Sequence, residues 1–169
     1  LGIALHPNFA DTQTFFMYVT TTDGGVRNRV EKWTLSSDGL SATFDSILVD
    51  NIPSALYHNG GRLRIGPDDL LYITTGDARN PDLSRDLSSP AGKVLRVNLD
   101  GSFPSDNPDP SSPVWVSGVR NSQGIDWRDD GRIILSDHGP SGDTNRFGHD
   151  ELNVVEAGDD LGWPDIYAC

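Results

Sequence analysis

Glutamate and lysine are scarce in this chain. Three glutamates (Glu31, Glu151, Glu156) and two lysines (Lys32, Lys93) stand among 169 residues. Both types favour helices, so their scarcity argues against a helical bundle or coiled coil. Basic charge is short as well. The 13 Lys and Arg face 25 Asp and Glu, a net charge of −12. No basic patch offsets the acid, which argues against a nucleic-acid partner. Apolar runs reach only a few residues, too short for a membrane span. The one cysteine, Cys169, cannot staple the fold internally, and no cysteine-based metal pattern occurs. There is no initiating Met and no visible signal peptide; Leu1 sits in a strand-like segment, so the N-terminus reads as cut.

What is abundant points to sheet and turn. Asp (22 residues), Gly (18) and Pro (11) are turn formers. A hydrophobic content of 36% is enough for a sheet core.

The strands repeat. Ile3-Ala4-Leu5-His6-Pro7, Leu63-Arg64-Ile65-Gly66-Pro67 and Ile125-Asp126-Trp127-Arg128-Asp129 start 60 and then 62 residues apart. Each alternates as a half-buried strand does. Second strands are expected at Phe15 to Thr20, Leu70 to Thr75 and Arg132 to Asp137. Third strands are expected at Trp33 to Gly39, Leu95 to Gly101 and Leu152 to Glu156. Fourth strands fall at Ile47 to Asn51 and Val114 to Gly118, and the third unit stops before its own. Four antiparallel strands per radially repeated unit describe a β-propeller blade. A β-sandwich with similar strands is the alternative, and the even spacing favours the propeller. The units span about 1–54, 55–121 and 122–169. A period near 60 exceeds the usual blade repeat of about 40 to 50. The excess lies in loops at Asp77 to Pro90, Ser102 to Pro113 and Gly139 to Asp150, and long loops tend to carry function.

Candidate chemistry falls at the loops that enter the innermost strands. His58, in Tyr57-His58-Asn59-Gly60-Gly61-Arg62, suits a general base, or is a surface histidine. Asp77 ends the next strand, and a hairpin returns it to the same edge, where a carboxylate would orient the imidazole. It could equally cap a turn. Arg120, Asn121 and Gln123 supply many donors within four residues, which suits a planar anion with several carbonyls. They could equally form a polar loop. Gly139 and Pro140 fix backbone carbonyls in a turn, and hard cations take oxygen ligands. Asp143, Asn145, Asp150 and Glu151 follow but match an EF-hand poorly, and taken alone the segment reads as a solvated turn. No GxSxG elbow, P-loop, dinucleotide GxGxxG or HExxH occurs.

Five ordered segments carry a resemblance. They are His58 to Leu63, Gly92 to Asn98, Arg120 to Gly124, His138-Gly139-Pro140 and Asp150 to Asn153. Together they resemble the soluble quinoprotein glucose/sorbosone dehydrogenase family, which includes aldose sugar dehydrogenases. The resemblance runs from Leu1 to Trp163-Pro164. It implies a six-bladed propeller that binds pyrroloquinoline quinone (PQQ) with Ca²⁺ and oxidises an aldose at C1 to the lactone. By position it implies His58 as base, Asp77 as its holder, and Arg120 and Asn121 as quinone contacts, with Gln123 beside them. Arg120 would stabilise charge developing on the quinone. Carbonyls of Gly139 and Pro140 would hold Ca²⁺ as a Lewis acid, and Glu151 a second, structural Ca²⁺.

Three departures stand out. Ser122 replaces the usual Pro, Tyr57 stands where glucose-specific members carry Asp, and an insertion runs from Asp143 to His149. The resemblance also implies a periplasmic or secreted protein with a sugar substrate, and leaves the electron acceptor open. About half of the ring is expected here, two blades and most of a third. Open sheet edges would then be available to pair with another chain, and the chain alone is expected to turn over little. The competing readings are a non-catalytic propeller that binds sugar or protein, and a Ca²⁺-dependent propeller lactonase.

Overall fold

The structure, a computed structural model, describes residues 1–142 and 145–167. Asp143 and Cys169, considered above, lie outside the described residues. Among the described residues, eleven strands form three antiparallel sheets in chain order. The first holds β1 (Gly2–Leu5), β2 (Thr14–Thr21), β3 (Arg27–Leu35) and β4 (Ala42–Ile52). The second holds β5 (Gly60–Ile65), β6 (Leu71–Thr75), β7 (Val94–Val97) and β8 (Val114–Val116). The third holds β9 (Ser122–Trp127), β10 (Ile133–Asp137) and β11 (Glu151–Val155). Within each sheet every strand pairs with its sequence neighbour. β5 packs beside both β1 and β9, so the first strand of each sheet stands next to its counterparts. That is the radial arrangement of propeller blades, with first strands innermost.

The sequence pattern explains which sheet is central. β6 is buried at every position, and a strand covered on both faces reads as a continuous apolar run. Its residues divide by the two-residue period of a strand. Leu71 and Ile73 join Phe16, Tyr18, Val30 and Ile52 of the first sheet, with Leu95 and Val97 of β7. Tyr72 turns the other way, with Val94, toward Ile125, Ile133, Leu135 and Val155 of the third sheet. β1 alternates half-buried and exposed along its length instead, one face packed and the other open.

β3 begins at Arg27, earlier than the apolar pattern indicates, because its polar residues still pair along β2. Arg29 and Glu31 form an ion pair there at 2.5 Å, and Glu31 also accepts the Trp33 indole N–H at 2.8 Å. Asp38-Gly39 and Asp100-Gly101 fall in turns just past β3 and β7 rather than in the strands. Two short helical turns were not legible: α1 (Phe9–Thr12) and a 3₁₀ turn over Pro81–Ser84 in the long loop after β6.

Candidate active site

The site lies at one end of the sheets, where loops enter the first strands and leave the second ones. His58 precedes β5, and Asp77 follows β6. The His58 Nδ1 lies 2.9 Å from Asp77 Oδ1. Both are buried, Asp77 to 1% exposure. Backbone contacts fix the pair. Ala78 N–H donates to the His58 carbonyl at 3.0 Å, and Asp77 N–H donates to the Arg120 carbonyl at 2.8 Å. A side chain at Gly76 would collide with the His58 carbonyl, so only glycine admits this approach. His58, Ala78 and Arg79 all hold positive φ, at 64°, 50° and 63°. Such backbone costs about 1–3 kcal/mol per residue and collects at functional sites. Here it aims Arg79 N–H at Asp77 Oδ1, 2.8 Å away. A carboxylate accepts, so Nδ1 is the donor of this bond, and in the neutral ring the lone pair is on Nε2.

Arg120 and Asn121 precede β9 as His58 and Asn59 precede β5, at an offset of 62. Their backbone N–H groups both donate to Asp137 at the end of β10, at 2.8 and 2.7 Å. Burial pushes the Asp137 carboxyl up to about 6, against these two N–H bonds and with help from nearby Glu151. The buried Arg120 guanidinium donates to the His138 carbonyl at 3.0 Å. Asn121 Oδ1 accepts the Gly60 N–H and the Gln123 amide, each at 3.0 Å.

These groups border an open cleft of about 540 Å³ lined by Tyr57, His58, Arg120, Asn121, Gly139 and Asp150, among others. That volume is in the range of small-molecule and cofactor sites. Gln123 reaches the cleft only through Asn121. Gly139 lies in the wall, and its N–H donates to Asp150 Oδ1 at 3.0 Å. That bond, followed by His138, holds the Asp150 carboxyl below the usual carboxylate range. The Pro140 carbonyl accepts Gly148 N–H at 2.9 Å. Glu151 pairs across the sheet with Asp137 and accepts the Asn153 amide at 3.2 Å. Among the described residues no cluster of three or more His, Cys, Asp or Glu could hold a metal.

Two residues of this end were not singled out from sequence. Asp137 had a signal: it lies 60 residues after Asp77, at the same place in the repeat. Trp163 had none, because chain-distant placement brings it in.

The Glucose / Sorbosone dehydrogenase family model matches residues 1–169. This chain belongs to that family. It is 32% identical to quinoprotein glucose dehydrogenase B of Acinetobacter calcoaceticus, over 98% of this chain and 40% of that one. It is 30% identical to aldose sugar dehydrogenase YliI of Escherichia coli K12, over 97% and 45%. The structure of the PQQ-bound form of an aldose sugar dehydrogenase from Streptomyces coelicolor superposes with a TM-score of 0.89 at 36% identity, over 98% of this chain and 48% of that one. The chain thus spans about half the length of the relatives it matches. Its antiparallel sheets are a partial β-propeller of the glucose/sorbosone dehydrogenase family. No described helix is long and apolar enough to cross a membrane.

Proposed function

We propose that this family member acts in a PQQ- and Ca²⁺-dependent oxidation of an aldose at C1 to the lactone. One observation carries the reading: His58, held from behind by Asp77, borders the same cleft as Arg120 and Asn121. The donor set fits a planar anion, since a guanidinium and an amide wall a cleft of cofactor size. The cation fit rests on backbone oxygens. The Gly139 segment lies in the wall, and the Pro140 carbonyl keeps a second lone pair beside its bond to Gly148.

PQQ and Ca²⁺, when bound, would supply a two-electron oxidant able to accept the C1 hydride. His58 Nε2 takes the proton of the C1 hydroxyl, so the sugar loses hydride and proton as the C1–O double bond forms. Asp77 holds Nδ1–H and stabilises the imidazolium that results. Arg120 and Asn121 hold the cofactor by donating hydrogen bonds, and the Arg120 charge favours electron gain beside it. Gln123 fixes Asn121. Gly139 and Pro140 carbonyls would hold the catalytic cation, and Glu151 would belong to a second, structural one. Blade units at about 1–54, 55–121 and 122–169 and a periplasmic or secreted location complete the proposal.

The test adds an aldose to the protein, as its gene encodes it, after reconstitution with PQQ and Ca²⁺. Bleaching of the oxidised PQQ absorbance with stoichiometric lactone supports the reading. Sugar binding without bleaching makes it a binding module, and lactone hydrolysis without PQQ makes it a lactonase.

A further inference from the structure

Trp163 is 86 residues from Asp77 in sequence and touches it in space. Its indole Nε1–H donates to Asp77 Oδ2 at 2.9 Å. The ring is 3% exposed. The Arg120 guanidinium stands 5.4 Å from the ring centroid, and that of Arg146 5.6 Å. We propose that Trp163 is a positioning residue, which locks the Asp77 carboxylate and through it the tautomer and aim of His58, and seats Arg120 beside them. This rests on the reading of His58 as the base.

The two oxygens of Asp77 have different partners. Oδ1 takes His58 Nδ1 and Arg79 N–H. Those donors come from the two loops that meet at this edge. The carboxylate torsion is broad and roughly two-fold, so bonds at one oxygen leave it loosely set. The bond at Oδ2 fixes the plane. An indole N–H is a donor and nothing else. It fills Oδ2 and so holds the plane in which Oδ1 faces His58 Nδ1, the contact that favours the Nδ1–H tautomer.

The same residue ties both halves of the site. Trp163 N–H donates to the Gly118 carbonyl at 3.1 Å, and Leu161 N–H to that of Ser117 at 3.0 Å. The segment before Arg120 is thereby anchored to the segment carrying Trp163. The buried indole face then sits under the Arg120 guanidinium, an attraction that strengthens when water is excluded.

The experiment uses the cofactor-free protein as its gene encodes it. Long-range ¹H–¹⁵N NMR reports the tautomer of the His58 ring. The wild type is expected to show the Nδ1–H form, and Trp163→Phe a mixture with the Nε2–H form. After reconstitution, Trp163→Phe is expected to lower kcat about tenfold or more while KM for sugar stays within about twofold. A variant that keeps the Nδ1–H tautomer and wild-type kcat overturns the proposal. Should Trp163→Phe fail to fold, the wild-type indole proton decides. Slow solvent exchange supports the proposal, and exchange as fast as in an exposed indole overturns it. The NMR arms stand even if the protein oxidises no sugar, so failure of the functional reading is told apart from failure of this one.

Discussion

Two buried polar side chains show how single residues are set to different work. Asp77 gathers three donors, from His58, Arg79 and Trp163. Asp77→Asn keeps the shape but offers an N–H₂ group where an acceptor is needed. Steady-state assays should show kcat lower by about a hundredfold or more, because the imidazole loses its tautomer and its counter-charge. Lys93 does structural work. It is fully buried, and its Nζ donates to the carbonyls of Leu83, Ser84 and Ala91, each at 2.8 Å. Burial pulls its amine down to about 8, with Asp86 and Asp160 opposing. Between about 8 and the ordinary 10.5 the unfolded chain holds the extra proton. Stability should therefore rise with pH through that window and carry the full penalty of the charged amine below it. Lys93→Met should remove that slope in denaturant melts across pH. It should also lose about 3 kcal/mol, since three buried carbonyls forfeit their donor.

At the scale of elements, the central sheet carries both cores. Ile73 of β6 is fully buried, while Ile3 of β1 is 62% exposed. Ile73→Ala should cost about 3 kcal/mol in urea unfolding, and Ile3→Ala less than about 1. The loop before β9 depends on one carboxylate at the end of β10. Asp137→Asn leaves one of the Arg120 and Asn121 N–H groups facing an amide N–H₂. Thermal unfolding should report a loss of about 2 kcal/mol, and PQQ titration a weaker affinity. Strand positions were legible where apolar residues alternate, as in β5 and β10, or run together, as in β6. The start of β3 was not, because Arg27 and Arg29 owe their place to ion pairs, with Asp50 across on β4 and with Glu31 two residues on along β3 itself. Of the site, His58 and Asp77 could be paired from sequence, since a hairpin returns its ends to one edge. Trp163 could not, because no local pattern places it against a residue in another sheet.

Over the whole molecule, one offset organises both scaffold and site. The spacing near 60 that repeats the first strands also sets His58 against Arg120 and Asp77 against Asp137. In each pair the carboxylate ending a second strand holds the loop that enters a first strand, by side chain in one case and by backbone in the other. The acid-rich composition is mostly turn chemistry, as at Asp38, Asp100 and Asp109, each bonded to a serine two residues away. The central claim is that this paired geometry serves proton removal from a sugar hydroxyl. Its most direct test is single-turnover aldose oxidation by the PQQ-loaded protein and its His58→Gln variant. The account predicts equal PQQ loading and a rate lower by about a hundredfold or more in the variant. Equal rates in the two proteins would contradict it.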